Sequence, residues 1–325
     1  MTMTMTTITI ATPTAPRRAL VTGGAGFIGS HLVEALLARG WQVRVLDNFS
    51  SGKLANLKPW LDRIELLEGD AADPVLAARA CREVEVVFHQ AAIPSVPKSV
   101  LDPIATHHAG PTATLTMLQA ARDAGARRFV FAASSSAYGD TPTLPKHEAM
   151  LPQPLSPYAA SKLAGEHYVA AFARSMGLDG VSLRYFNIFG PRQDPSSPYS
   201  GVISRFHLVM SHGDPPTIYG DGTQTRDFTA VANAVHANLL AADHPQALRG
   251  AVLNVGTGQR TSLLDLVAAL NRLLQLDPPL QPRYEPPRPG DIAHSLASLE
   301  LVHATLGYQP LVSFEDGLRA LVQSS

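Results

Sequence analysis

The chain has 325 residues, enough to bury a sizeable core in one large domain or two closely joined ones. Its 26 Lys and Arg residues nearly balance 27 Asp and Glu residues, and no basic stripe interleaved with aromatics favours nucleic-acid binding. A single cysteine, Cys81, excludes a disulfide framework and a cysteine-rich metal site, and no apolar run is long enough to span a membrane.

The N-terminal segment, residues 1–16, is rich in threonine. It lacks the charged region followed by an apolar core that marks a secretory signal. We therefore expect a disordered leader and a cytoplasmic protein without a membrane partner.

The first predicted elements are a strand at 19–21, a glycine-rich turn and a helix at 31–37. Gly23, Gly26 and Gly29 follow the strand at G-x-x-G-x-x-G spacing. In such a unit the first glycine permits the tight turn, the second lets the backbone approach a pyrophosphate, and the third lets helix and strand pack closely. The N–H groups that open the helix then face the phosphates.

A second apolar strand, 41–46, ends in Asp47. An acid about 20 residues beyond the glycine turn is placed to accept hydrogen bonds from the adenosine ribose. A glycine triplet flanked by strand, helix, strand and terminal acid indicates dinucleotide binding far more strongly than a lone triplet. No arginine stands beside Asp47, which favours NAD over NADP.

Strands and helices go on alternating through the first half of the chain. Further strands are predicted at 64–67, 84–89, 128–133 and 181–186, and helices at 113–124 and 158–176. This order predicts an α/β fold of the Rossmann type, a doubly wound parallel sheet with helices on both faces. Proline-rich segments at 191–198 and 279–289 indicate a smaller C-terminal α/β domain. We place the dinucleotide-binding domain at 17–186, with a segment near 228–256 returning to it, and the substrate domain mainly at 187–325.

Two sets of polar residues lie on the predicted helix at 158–176 and directly after the predicted strand at 128–133. Tyr158 and Lys162 stand at i and i+4, hence on one helical face, where the ammonium would lower the pKa of the phenol. Such a tyrosine can take a proton from a hydroxyl while hydride leaves the same carbon. The serine run 134–136, at the carboxyl end of a strand, can supply a second hydrogen bond to the same oxygen. The alternative for the Tyr/Lys pair alone is a chance match on a helix surface.

Taken together, the glycine turn, the serine run before Tyr138 and the Tyr158/Lys162 pair resemble the extended short-chain dehydrogenase/reductase family. Segment 184–195, Arg-Tyr-Phe-Asn-Ile-Phe-Gly-Pro-Arg-Gln-Asp-Pro, narrows the resemblance to nucleotide-sugar epimerases, most of all those acting at C4 of UDP-hexoses and UDP-N-acetylhexosamines. The likeness runs from about Arg17 to near the C-terminus. It implies a retained NAD, a 4-keto sugar that turns over, and a UDP-sugar site in the C-terminal domain.

The resemblance also implies the site residues. Catalysis is assigned to Ser134, Tyr158 and Lys162. The implied NAD-binding residues are Gly23, Gly26, Phe27, Ile28, Gly29, Asp47, Asn48, Ser51, Gly52, Asp70, Ala71, Gln90, Ala91, Ala92, Tyr158, Lys162 and Tyr185. The implied substrate-binding residues are Lys98, Ser134, Ser135, Ser136, Asn187, Gln193, Val202, Tyr219, Arg226, Arg288, Asp291 and Ser295.

Within that set, Arg226 and Arg288 are expected to grip the diphosphate, for which two arginines from separate loops are suited. The alternative is a pair of solvated surface arginines. Ser295 is expected to leave the sugar pocket open where a bulky residue would exclude an N-acetyl group. The alanine-rich helix at 158–176 and the helix at 113–124 are expected to form a homodimer through a four-helix bundle, as in similar epimerases.

One position departs from the family pattern, because Gly110 stands where the family usually has Asn. A nucleotide-sugar dehydratase is disfavoured, since related dehydratases carry Asp-Glu where this chain has Ser135 and Ser136. A keto-sugar reductase and a non-catalytic NAD-binding protein stay open as alternatives. The twelve histidines show no ligand spacing, so no metal site is predicted.

Overall fold

The computed structural model describes residues 17–194, 201–287 and 292–324; the predicted leader, 1–16, lies outside the described residues. The strands are β1 Arg18–Thr22, β2 Gln42–Asp47, β3 Ile64–Glu68, β4 Val86–His89, β5 Arg128–Ser134, β6 Asp179–Tyr185, β7 Ile188–Phe189, β8 Thr217–Tyr219, β9 Thr225–Arg226, β10 Thr229–Ala230, β11 Ala251–Val255, β12 Thr261–Ser262 and β13 Arg283–Glu285. The α-helices are α1 Phe27–Ala38, α2 Pro74–Ala80, α3 Val96–Leu101, α4 Pro103–His107, α5 Ala113–Asp123, α6 Pro157–Ser175, α7 Val202–Ser211, α8 Val231–Asp243, α9 Leu263–Leu273, α10 Glu300–Leu306 and α11 Phe314–Gln323.

Seven strands form one central sheet in the order β11-β6-β5-β4-β1-β2-β3, and every neighbouring pair is parallel. The apolar runs of β1, β4 and β5 are buried along almost their whole length, as expected for a sheet covered on both faces. One face packs against α1, α8 and α10, and the other against α2, α5 and α6. The predicted doubly wound parallel sheet is confirmed.

The chain leaves this sheet after β6 and returns to it as an edge strand. Between the two passes it contributes β7 to α8, and β11 then pairs with β6 from Ala251 opposite Val181 to Val255 opposite Tyr185. A separate apolar core lies among α7, α9 and α11, with Phe189, Ile218 and Phe228. The division into an NAD-binding and a sugar-binding domain at residue 186 stays a prediction.

Arg128, the first residue of β5, joins the sheet to the end of α8. Its side chain is 2% exposed and donates to the Asp179 carboxylate at 2.7 Å. It also donates to the carbonyl oxygens of Ala241, His244 and Gln246 at 2.6 to 2.7 Å. The buried charge is thus compensated by partners from two distant parts of the sequence.

None of the helices in the described ranges is long and apolar enough to cross a membrane. The cytoplasmic location stays a prediction from the sequence.

Candidate active site

Polar residues and the glycine turn follow several strands at one edge of the sheet. The turn at 23–26 follows β1, Asp47 ends β2, Gln90 follows β4 and Ser134 ends β5. Because the strands are parallel, their carboxyl ends meet at this edge, where open α/β sheets bind their ligands.

The glycine positions in the turn and at the start of α1 leave no room for a side chain. Gly23 has φ +67°, and a Cβ there would lie 2.8 Å from the backbone nitrogen of Ala91. A Cβ on Gly29 would lie 2.1 Å from the Gly23 carbonyl oxygen. Helix α1 starts at Phe27 without a side-chain cap, and the first turn of a helix has N–H groups without helical partners. This cradle fits a pyrophosphate, and Phe27, Ile28 and Gly29 lie in it.

Asp47 is buried and holds the turn directly. Its carboxylate accepts from the N–H groups of Ala25 and Phe49, both at 2.8 Å. Burial raises the pKa of Asp47, and these two hydrogen bonds oppose the rise. The loop that follows, with Asn48, Ser51 and Gly52, folds back over the turn, where a Cβ on Gly52 would lie 2.9 Å from Asp47 Oδ1.

A polar network follows β4 behind the turn. The Gln90 side-chain amide lies 3.2 Å from the Tyr185 hydroxyl and 3.3 Å from Asn238 Oδ1. Asn238, on α8, donates to the Tyr185 hydroxyl at 2.6 Å. Asn238 was missed in the sequence, since one asparagine among the polar residues of an alanine-rich helix carries no local signal. Of the other residues predicted in this region, Ala91 and Ala92 follow β4, and Asp70 and Ala71 follow β3.

Ser134 and Tyr158 are in contact at the end of β5. A hydrogen bond joins their side chains, and the Ser134 oxygen also accepts from Ser136 N–H at 3.2 Å and Ser136 Oγ at 2.9 Å. Tyr158 lies in the first turn of α6, which Ser156 caps by accepting from Ala159 N–H. The cap and the proline at 157 start this helix where the tyrosine must lie.

The expectation that Lys162 lowers the pKa of Tyr158 is wrong for the chain's own residues. Burial raises the pKa of Tyr158, and the Ser134 hydrogen bond is the opposing cause. The Lys162 ammonium donates instead to the Ala132 carbonyl oxygen at 2.7 Å, and burial lowers its pKa to about 8.

His89 was also missed in the sequence. It is fully buried, with its ring nitrogens 2.8 Å from Thr22 Oγ1 and 3.2 Å from Thr114 Oγ1. Burial, with the nearby Lys162 charge as a second cause, lowers its pKa to about 3. The imidazole is therefore neutral, and it links Thr22, directly before the turn, to Thr114 on α5.

The buried Lys162 predicts a pH-dependent stability. Between about pH 8 and pH 10.5 the unfolded chain keeps a proton that the folded chain has released. Lys162 should therefore contribute a rise of about 2 kcal/mol in the free energy of unfolding between pH 7.5 and pH 9.5, which appears as the difference between wild type and a variant without this lysine. Denaturant titrations of wild type and Lys162→Met measure it, because the variant lacks the titrating group. The same pH dependence in both proteins would refute the assignment.

The substrate-side residues lie on loops of the C-terminal part. Arg226 donates to the carbonyl oxygens of Thr225 at 3.0 Å and Ala293 at 3.2 Å, and Ser295 N–H donates to the Thr225 carbonyl at 3.1 Å. Arg226 and Ser295 are thus brought together through Thr225. Gln193 accepts from Ser204 Oγ at 2.6 Å.

The other predicted substrate residues are placed as follows: Lys98 on α3, Ser135 in the short helical turn after β5, exposed Asn187 after β6, Val202 at the start of α7, and Tyr219 at the end of β8. Arg288 and Asp291 lie outside the described residues. Gly110 lies in a π-helical turn, 108–112, where a Cβ would be 3.0 Å from Ser161 Oγ. A larger residue at 110 would therefore require Ser161 to move. Within the described ranges, no three His, Cys, Asp or Glu side chains are grouped to hold a metal ion.

Comparison with known proteins gives matches along nearly the whole chain. The model of the NAD dependent epimerase/dehydratase family matches residues 19–256. The UDP-glucose 4-epimerase of Mycolicibacterium smegmatis is 38% identical over 310 residues, covering 94% of this chain and 97% of that protein.

Two solved structures are similar throughout. The UDP-N-acetylglucosamine 4-epimerase from Methanobrevibacter ruminantium, in complex with UDP-N-acetylmuramic acid, has a TM-score of 0.90 at 38% identity and covers 96% of this chain and 98% of its own. The UDP-glucose 4-epimerase of Thermus thermophilus, in complex with NAD, has a TM-score of 0.84 at 39% identity and covers 94% and 98%.

Proposed function

Since this chain belongs to the NAD-dependent epimerase/dehydratase family, we propose that it is an NAD-dependent 4-epimerase of a UDP-hexose or UDP-N-acetylhexosamine. The observation that carries the proposal is the Ser134–Tyr158 hydrogen bond at the end of β5, with Lys162 one turn further along α6. A proton-transfer pair at this edge, beside a dinucleotide cradle, is what oxidation of a sugar hydroxyl requires.

The residues present fit NAD. Gly23, Gly26 and Gly29 keep the turn open to a pyrophosphate, and Asp47 stands at the end of β2 for the adenosine ribose. Bound NAD supplies the hydride acceptor and a positive charge that favours the Tyr158 phenolate. That charge opposes the effect of burial, which by itself raises the tyrosine pKa.

Tyr158 and Ser134 handle the proton in this proposal. Tyr158 removes the proton of the sugar 4-hydroxyl, and Ser134 donates a hydrogen bond to the same oxygen while it becomes a carbonyl. Lys162, charged below its pKa of about 8, holds the end of β5 through the Ala132 carbonyl. Arg226 holds the diphosphate while the 4-keto ring turns over and presents its other face.

The test is incubation of the purified protein with UDP-glucose or UDP-N-acetylglucosamine without added cofactor. We expect the C4 epimer in the NMR spectrum and NAD in the extract of the denatured protein. NAD binding without any epimer would favour a non-catalytic protein. Formation of NADH in step with a 4-keto product when NAD is added would favour a keto-sugar reductase acting in reverse.

Dehydration is disfavoured by the residues after Ser134. Ser135 and Ser136 occupy the short turn at 135–138, and the Ser136 hydroxyl donates to Ser134 Oγ at 2.9 Å. Hydroxyls at these positions are not ionised near pH 7 and cannot serve as the acid and base of an elimination. The same NMR experiment would reveal a dehydrated 4-keto product.

Ser295 supports acceptance of N-acetylated sugars. Its side chain is small, and its backbone is fixed to Thr225 beside Arg226. We therefore predict that wild type turns over both UDP-N-acetylglucosamine and UDP-glucose. Ser295→Tyr should lose the acetylated pair by about tenfold or more in kcat/KM and keep the plain hexoses, which are the internal control. An equal loss for both pairs would contradict the assignment.

We also propose a homodimer formed through α5 and α6. Leu115 on α5 and Tyr168 on α6 are exposed, and the two helices pack side by side. An exposed apolar surface on adjacent helices is suited to a two-fold helix bundle. Light scattering should give twice the chain mass for wild type at micromolar concentration and the monomer mass for Leu115→Glu/Tyr168→Glu. A monomeric wild type would refute this proposal.

A further inference from the structure

Asp227, the residue after Arg226, is a fully buried carboxylate. Its Oδ1 accepts from the backbone N–H and the hydroxyl of Thr257, both at 2.7 Å, and from the Thr229 hydroxyl at 3.3 Å. Its Oδ2 accepts from Gly258 N–H at 3.0 Å and Ala297 N–H at 3.1 Å. Five donors therefore converge on one side chain, which compensates for its removal from water.

These donors come from three segments that are distant in sequence. They are the start of β10, the loop 256–258 after β11, and the segment 295–298. A Cβ on Gly256 would lie 2.8 Å from Asp227 Oδ2, so only glycine at this position leaves space for the carboxylate. The Asp227 side chain is thus hydrogen-bonded to all three segments.

The joined segments hold the two residues assigned to the substrate. On one side of Asp227, Arg226 donates to the Ala293 carbonyl, and Thr225 N–H donates to the same oxygen at 3.0 Å. On the other side, Ser295 stands two residues before Ala297, whose N–H binds Asp227. The segment is held from behind by Lys146, whose N–H donates to the Leu296 carbonyl at 2.8 Å.

We propose that Asp227 is a positioning residue for the UDP-sugar, which fixes Arg226 and the Ser295 segment in one arrangement so that they meet the substrate together. The proposal rests on the proposed function in one respect, the assignment of Arg226 to the diphosphate. Asp227 itself is buried behind these residues and does not touch the substrate.

Asp227→Asn tests this proposal with little change in volume. Either orientation of the new amide turns its NH2 toward backbone N–H donors, those of Gly258 and Ala297 or that of Thr257. We expect the Kd of UDP and the KM of the UDP-sugar to rise about tenfold or more. The kcat at saturating substrate and the NAD content should change less than about threefold, because the cofactor cradle is formed by other strands.

Two further variants keep the test interpretable. Asp265→Asn is the matched control, since this exposed carboxylate accepts from Ser262 N–H at 3.1 Å in the capping box of the neighbouring α9; its UDP affinity should equal that of wild type. Thr257→Val removes the 2.7 Å hydroxyl bond to Asp227, together with the longer bond of 3.3 Å that the hydroxyl accepts from Gln259 N–H, and should raise the Kd of UDP by a smaller factor. It serves in place of Asp227→Asn if that variant does not fold.

Calorimetric titration with UDP distinguishes failure of this positioning role from failure of the proposed function. An unchanged UDP affinity in Asp227→Asn, with or without a lower melting temperature, would overturn the positioning role and leave only a structural one. An unchanged affinity in Thr257→Val would overturn it as well. A wild type without epimerase activity, in which Asp227→Asn still weakens UDP binding, would overturn the proposed function and leave the positioning role in place.

Discussion

Tyr158→Phe is expected to retain NAD and UDP-sugar binding while kcat falls about 10²–10⁴-fold, the usual contribution of a general base. The variant removes only the hydroxyl that is hydrogen-bonded to Ser134 and keeps the ring in the first turn of α6. Steady-state kinetics measure kcat, and titration with UDP measures binding.

Tyr168→Phe is the matched control for this experiment. It removes the same group from the same helix but keeps the apolar ring in the surface proposed for the dimer, so it should leave kcat unchanged. If Tyr158→Phe turned over at close to the wild-type rate with NAD bound, Tyr158 would not be the base.

Gly29→Ala is expected to abolish retention of NAD through purification. The added methyl group would lie 2.1 Å from the Gly23 carbonyl oxygen, and a backbone atom cannot rotate away as a side chain can. The turn would have to shift, which would distort the pyrophosphate cradle. Overpacking of this kind should weaken NAD binding about tenfold or more. Fluorescence titration of the NAD-stripped proteins with NAD measures the affinity.

Gly40→Ala, just beyond the other end of α1, is the control for adding a methyl group. Gly40 also has a positive φ, +76°, but no atom lies within 4 Å of the position that its Cβ would take. Both variants should lose some thermal stability, and only Gly29→Ala should lose NAD affinity. Equal NAD affinity in Gly29→Ala and wild type would show that the turn does not need its close approach.

The sequence was sufficient for features with local signals. The predicted helix 158–176 is observed at 157–175, because Ser156 and Pro157 are start signals that act within a single turn. The parallel sheet followed from the alternation of short apolar runs with helical patterns, since a crossover helix separates parallel strands.

Features that depend on distant parts of the chain could not be predicted. Asn238 lies 148 residues from Gln90 in sequence, and Asp227 lies 70 residues from Ala297. No spacing rule links such partners before the chain is folded. The Tyr158 pKa was mispredicted for the same reason, because the i, i+4 spacing reveals neither the burial of the phenol nor the Ala132 carbonyl that binds Lys162.

The return of the chain as β11 has a consequence for synthesis on the ribosome. Until residue 255 has emerged, β6 has an unpaired backbone edge, which is prone to association with other strands. Until about residue 246 has emerged, the Arg128 guanidinium lacks the carbonyl groups of Ala241, His244 and Gln246 and has only Asp179 as a partner. The central sheet of the nascent chain therefore stays incomplete while about 70 further residues are translated. Chaperones act on growing chains at this stage.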